Sequence, residues 1–204
     1  MDYIEIPEIA SIIEKEIACN LSPKRYAHSR STSETAVKLA ERFGEDRWAA
    51  HLAGLSHDMC RGLSFEEQIN LVNKHRACIA FLSERPSLAA ILSDREYREK
   101  MIHGPAAACS LCYRFQVREE SILEAVALHS IADDAMSPLA KIVYIADKLE
   151  PLRNRSADAD EKMQTLDLDS LFAYTLASVV RWFSESGKPL CPYTAEIYSR
   201  MTKS

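Results

Sequence analysis

The stretch Leu52-Ala53-Gly54-Leu55-Ser56-His57-Asp58 decides how this chain reads. Ala49, Leu52, Ala53, Ser56 and Met59 suit a helix packed closely in a core, and the spacing predicts one from Asp46 to about Arg61, stopped by Gly62. His57 and Asp58 fall near its end. Adjacent residues on a helix stand about 100° apart around its axis, so an imidazole and a carboxylate placed there can reach one ion. A single such pair carries little weight. Here His28 lies upstream, His103 and His129 lie downstream, and Asp147 follows, each in a stretch that also reads as helical. Inward His and Asp side chains from several helices are how an all-α fold builds a metal site.

Working outward, Ile9, Ile12, Ile13 and Ile17 have helical spacing, which predicts a first helix over Ile9 to Leu21. Ser22-Pro23 reads as a helix start, and Gly44 as the cap closing that helix after Phe43. Ser64 with Glu67 forms a capping box for an exposed amphipathic helix. Arg85 to Met101, with Pro86 and dense charge, predicts a short helix and loops that could cover a site. Helices follow over Ala106 to Phe115, Ser121 to Ser130, Ser137-Pro138 to Leu149, Leu168 to Ser184 and Thr194 to Met201. Asp147 sits on the apolar face of Ile142, Val143, Ile145 and Ala146. A carboxylate there is costly unless it is paired, with Lys148 or an Arg, or bound to metal. No linker divides the chain, so the expectation is one all-α domain over 1–204, with a metal-binding core of about 22–153 and C-terminal helices 160–204 packed on it.

The composition agrees. In 204 residues only five are Gly and 8% are aromatic, while 47% are hydrophobic, a balance that favours helix over sheet. The net charge is −5, which lacks the basic field of a nucleic-acid binder, so positive charge for an anionic substrate must be local. No apolar run predicts a bilayer span and no leader pattern appears, so the expected setting is cytoplasmic, with neither nucleic acid nor membrane as partner. No Walker-type loop or GxGxxG is present, which excludes a glycine cradle for phosphate. The six Cys are expected to be mostly small buried hydrophobes, and Cys109-x-x-Cys112 to pack on one helix face, since a structural zinc site would want a second pair. His51 and His75 read as surface positions without a role.

The order His28, His57-Asp58, Asp147 resembles the H…HD…D pattern of the HD-domain metal phosphohydrolases. The likeness extends to Arg25-x-x-His28-Ser29, His103-Gly104-Pro105, His129-Ser130, Ala146-Asp147-Lys148-Leu149-Glu150-Pro151-Leu152-Arg153 and Gly187-Lys188-Pro189-Leu190-Cys191-Pro192-Tyr193-Thr194. Together these are similar to the YqeK subgroup over nearly the whole chain. The resemblance implies a single-domain helical HD fold and symmetrical hydrolysis of dinucleoside tetraphosphates, diadenosine tetraphosphate giving two ADP. It implies a divalent metal, iron first, with Mn, Zn or Mg as alternatives. His28, His57, Asp58 and Asp147 would hold it, and His103 and His129 would face phosphates or a second ion. Two departures from the subgroup stand out. The run His129-Ser130-Ile131-Ala132 has Ser for the usual Thr and lacks a Gly, and Arg61 replaces a frequent Lys.

The chemistry follows from the charge of a tetraphosphate. An activated water would attack a phosphorus beside the central bridging oxygen. Asp58 would orient that water, His103 or His129 would protonate the leaving phosphate, and Arg25, Arg61 and Arg153 would hold phosphate oxygens. The partner is then the nucleotide, with ADP or GDP as product, and a homodimer is compatible with the chain. Two other readings stay open. One is an HD-type phosphohydrolase acting on mononucleotides or guanosine tetraphosphate. The other is an HD module that binds nucleotide without turnover.

Overall fold

The computed structural model describes residues 5–93 and 95–202, and among them it is all-α. Helix α1 spans Ile6–Asn20, α2 Pro23–Phe43 and α3 Arg47–Ser56; α4 spans Phe65–Lys74, α5 Pro86–Ser93 and α6 Arg95–Met101. Then come α7 at His103–Phe115, α8 at Glu120–Leu128 and α9 at Pro138–Leu149, followed by α10 at Ala159–Thr165, α11 at Leu168–Ser186 and α12 at Pro192–Met201. Short 3-10 turns cover Met59–Gly62 and Arg76–Leu82.

The local signals act as read. The Ser22 hydroxyl accepts from the Arg25 N–H with Pro23 at the first helical position, and Gly44 ends α2 at φ 78°. Ser64 and Glu67 close a reciprocal capping box. Ser137 caps α9 in the same way as Ser22 caps α2.

Helix α2 lies against α3 and α9, while α8 packs on both α7 and α9. Small residues permit these crossings. Ala36, Ala50 and Ala53 are fully buried, and a Cβ on Gly54 would stand 2.7 Å from the Ser33 Cα. Helix α3 is thereby held against α2 more closely than any side chain would allow. Helix α11 covers α9 from outside, its Phe172 meeting Tyr144 edge-on at 5.2 Å.

Six expectations change. Helix α7 begins at His103, three residues before Ala106, and Arg85 to Met101 holds two helices, α5 and α6, where one short helix and loops were expected. Helix α3 stops at Ser56 rather than near Arg61; His57 is its last helical-angled residue, and Asp58 leaves the helix at φ −102°, ψ 8°. The pair therefore sits on a bend, which turns Asp58 away from the α3 axis. The first helix begins at Ile6, three residues early, with Pro7 in its first turn. Helix α10 carries no apolar period, burying only Ala159, so nothing announced it. Cys112 is not a simple packing residue, because it forms a disulfide with Cys78, Cα to Cα 5.9 Å. The Arg76–Leu82 turn packs on α7 and brings Cys78 to the helix face that carries Cys112. Cys60, Cys109 and Cys191 are buried thiols, as read; Cys19 is exposed.

Candidate metal centre

Five helices deliver the six side chains singled out by their types. His28 comes from the second turn of α2, His57 from the end of α3 and Asp58 from the bend beyond it. His103 opens α7, His129 follows α8, and Asp147 lies in the last turn of α9. All six converge. His28 Nε2 is 3.0 Å from Asp147 Oδ1, and His57 Nε2 is 3.2 Å from His28 Nε2 and 3.6 Å from that same oxygen. On the other side, Asp58 Oδ1 is 3.2 Å from His103 Nε2 and 3.8 Å from His129 Nε2. The atoms form two ligand groups, His28–His57–Asp147 and His57–Asp58–His129, each with its donor atoms within 4.8 Å of one another. His57 belongs to both.

The ring orientations fit a cation. His57 Nδ1 lies 2.7 Å from the Gly54 carbonyl and His129 Nδ1 lies 2.8 Å from the Val126 carbonyl. A carbonyl only accepts, so both Nδ1 atoms carry the hydrogen and each neutral ring turns an Nε2 lone pair inward. His28 Nδ1 likewise donates to the buried Glu150 carboxylate at 2.9 Å. The His57 and His129 lone pairs thus face a buried space, with His103 Nε2 3.0 Å from His129 Nε2, a spacing that a shared proton or a metal accommodates. His103 Nδ1 is buried with no hydrogen-bond partner, a further sign of a site built for more than its own contacts.

Charge states follow from the surroundings. Burial pushes the His103 imidazole down to about 4, and it also drives His129 well below the usual histidine range. His57 is lowered for the same reason. Burial disfavours the charged form of His28 too, but the hydrogen bonds it donates to Asp147 and Glu150 outweigh this and raise the ring to about 9. Burial opposes ionisation of Asp147 and Asp58. Lys148, His28, His57 and Arg153 around Asp147, and His57, His103 and His129 around Asp58, reverse that and hold both carboxyls well below the usual range.

The three arginines are also here. Arg25 Nη1 donates to Asp58 Oδ2 at 3.2 Å, Arg61 Nε to Asp58 Oδ1 at 3.1 Å, and Arg153 Nη2 to Asp147 Oδ1 at 2.6 Å. The paired-carboxylate alternative for Asp147 is therefore realised as well, with Lys148 Nζ at 2.7 Å. Ser130 keeps its hydroxyl on the site, 3.2 Å from His129 Nε2. Lys148, read as a partner of Asp147, also donates to the His129 carbonyl. One contributor escaped the sequence reading: Glu150, which fixes His28. Glu150 lies three residues from Asp147 but has no periodic signal of its own. His51 and His75 lie elsewhere, bound to Ser33 and stacked on Tyr113.

Four of the six, His28, Asp58, His129 and Asp147, line a cavity of about 620 Å³. Its rim includes Lys24, Arg25, Arg61, Lys100, Lys148 and Arg153, which supplies the local positive charge that the chain as a whole lacks. Tyr97, Lys100 and Met101 of α6 line it, so the ambiguous Arg85 to Met101 stretch does border the site. No helix among the described residues is long and apolar enough to cross a membrane.

Comparison with known proteins agrees with this geometry. The chain is 27% identical over 185 residues to the symmetrical bis(5'-nucleosyl)-tetraphosphatase of Halalkalibacterium halodurans, covering 89% of this chain and 91% of the relative. It is 27% identical over 190 residues to the protein of the same name in Bacillus subtilis, covering 91% and 95%. Among solved structures, an HD superfamily hydrolase of Clostridium acetobutylicum, described as involved in NAD metabolism, superposes with a TM-score of 0.77 at 26% identity, covering 95% of this chain and 96% of that one. The HD domain model matches residues 25–152, which hold all six converging side chains. This chain belongs to the HD domain family.

Proposed function

We propose that this protein is a divalent-metal-dependent hydrolase that cuts dinucleoside tetraphosphates at their midpoint, diadenosine tetraphosphate giving two ADP. The observation that carries the reading is the inward convergence of histidine Nε2 atoms and two ionised carboxylates beneath a rim of six cationic side chains. The names of the relatives supply the substrate class.

His28, His57, Asp58 and Asp147 are the proposed ligands, with His103 and His129 completing a second position beside Asp58. Imidazole and carboxylate donors suit iron(II), manganese or zinc, and iron is the proposed ion. When bound, the metal lowers the pKa of water and polarises a phosphoryl oxygen. The Asp58 carboxylate orients the attacking water. Arg25, Arg61 and Arg153, which now hold the site carboxylates, are within reach of phosphate oxygens and can take them in bidentate fashion. The water oxygen bonds to one inner phosphorus and releases its proton to solvent, the bond from that phosphorus to the central bridging oxygen breaks, and one ADP departs with the electron pair, leaving the second ADP on the attacked side.

The part given to His103 or His129 as an acid needs revising. Both rings are held neutral by burial near pH 7, so neither carries a proton to give. None is required, because the leaving group is itself a phosphate, whose second ionisation lies near pH 6. In this reading the two rings serve as neutral donors to the metal. The compartment is the cytoplasm, and the Cys78–Cys112 pair is unusual there.

Turnover of diadenosine tetraphosphate, a deoxynucleoside monophosphate and guanosine tetraphosphate by protein of known metal content tests the proposal. ADP as sole product from the first is expected. Hydrolysis of the monophosphate with no ADP from the tetraphosphate would sink it.

A further inference from the structure

A second cavity of about 510 Å³ adjoins the first. The two share Lys148, Arg153, Val179, Trp182 and Phe183 as a common wall. Both volumes fall within the roughly 300–1,000 Å³ usual for small-ligand sites. The second holds none of the six ligand-type residues. Beyond the wall it is lined by Asn154, Arg155, Ser156, Ser178 and Arg181, with Glu185 as its only acidic side chain. Those groups are hydroxyl, amide and guanidinium donors, which is the chemistry that takes ribose and phosphate.

The wall carries the rest. Trp182 and Phe183 meet edge to face at 4.9 Å, and Trp182 remains 44% exposed at the lip between the cavities. Lys188 Nζ stands 4.9 Å from the Trp182 ring centroid, so a base stacks on the free face of the indole or displaces that flexible ammonium. Arg153 and Lys148 both contact Asp147, so a phosphate chain held over the ligand cluster is already at the border of the second cavity. A substrate cut at its midpoint has one nucleoside on each side of the reacting phosphorus. The first cavity accommodates the tetraphosphate centre and one of them.

We infer that the second cavity is the seat of the other nucleoside diphosphate half, held by Arg181 and stacked on Trp182, while Arg155 is fixed by Asp160 and the Ser178 hydroxyl by the Tyr174 carbonyl. This rests on the tetraphosphatase reading. Two variants outside the ligand cluster test it: Arg181→Glu, a reversal at an exposed position, and Ser178→Trp, which fills the cavity. With diadenosine tetraphosphate, KM should rise about tenfold or more at little change in kcat, the size expected for losing a charged contact. With adenosine 5'-tetraphosphate, which has no second nucleoside, KM should stay as in the unaltered protein. Equal effects on both substrates, or none on either, overturn the inference.

Equilibrium ADP binding keeps the two proposals separable, because it needs no turnover. Two ADP per chain in the unaltered protein and one in Arg181→Glu support the second seat. Fewer than two in the unaltered protein, or two in the variant, refute it, whether or not the tetraphosphate is cleaved. If Ser178→Trp fails to fold, Arg181→Glu carries the test alone.

Discussion

Replacing Gly54 by Ala should disable the metal centre through an added methyl group that itself meets no ligand, at a residue whose carbonyl already holds His57 Nδ1. The new Cβ would lie 2.7 Å from the Ser33 Cα and 3.1 Å from its nitrogen, whereas ordinary contact begins at 3.4 Å. The obstacle is backbone, so no side chain can swing aside, and α2 and α3 must separate by about 0.7 Å. His28 rides on one helix and His57 on the other, their Nε2 atoms 3.2 Å apart. Metal ligands tolerate about 0.2 Å, so the shift exceeds the tolerance about threefold. Overpacking costs about 1–3 kcal/mol, and the rigid neighbour argues for the upper end. Ala gains about 1 kcal/mol of helix propensity over Gly, leaving a net loss of about 2 kcal/mol. At about 2–4 °C per kcal/mol for a chain of this size, Tm falls by about 4–8 °C. Calorimetry and metal analysis of purified protein measure both effects. Gly44→Ala is the control: it has φ 78° with nothing within 4 Å, so it should cost about 1–2 kcal/mol and leave metal content unchanged. A Gly54→Ala protein with full metal and an unchanged Tm would refute the close-approach argument, as would equal metal loss in the control.

Glu150→Gln keeps the shape beside His28 but removes the charge, and should weaken metal binding about 10–100-fold in competition with a chelator; unchanged affinity would show that Glu150 does not orient the ring. Without metal, His28 is raised to about 9, so its protonated form stabilises the fold fully below its unfolded value and that contribution disappears as pH rises through about 9. The Tm of metal-free protein should therefore fall across that interval, and metal loading at pH 7 should release a proton that an indicator dye detects; loading with no proton release would contradict this. Titration of denatured, unreduced protein should count four thiols, Cys19, Cys60, Cys109 and Cys191, and six after reduction; six without reductant would rule out the Cys78–Cys112 bond.

Helix starts and stops were legible wherever a local group makes the boundary, as at Ser22-Pro23, Gly44, Ser64 and Ser137, because the cap and the residue it caps lie within one turn. The candidate site was legible through residue type, since an Asp on the apolar face of α9 demands a partner. What could not be read depends on distant contacts. The bend after Ser56 is held where Asp58 meets Arg25 and Arg61, and only one of those is near in sequence. Cys78 meets Cys112 only when the Arg76–Leu82 turn docks on α7. Helix α10 buries one side chain, so it has no stripe to detect.

The six convergent side chains span residues 28 to 147, and the brace on His28 comes from residue 150. No shorter segment holds both groups. During synthesis a chain that has emerged only through His129 has the three upstream positions and two imidazoles, yet lacks the carboxylate that closes the group around His28. Completion of that group therefore waits until α9 has cleared the ribosome and docked. Loading then becomes a late event that rewards complete folding, because whatever binds only the finished bundle also stabilises it.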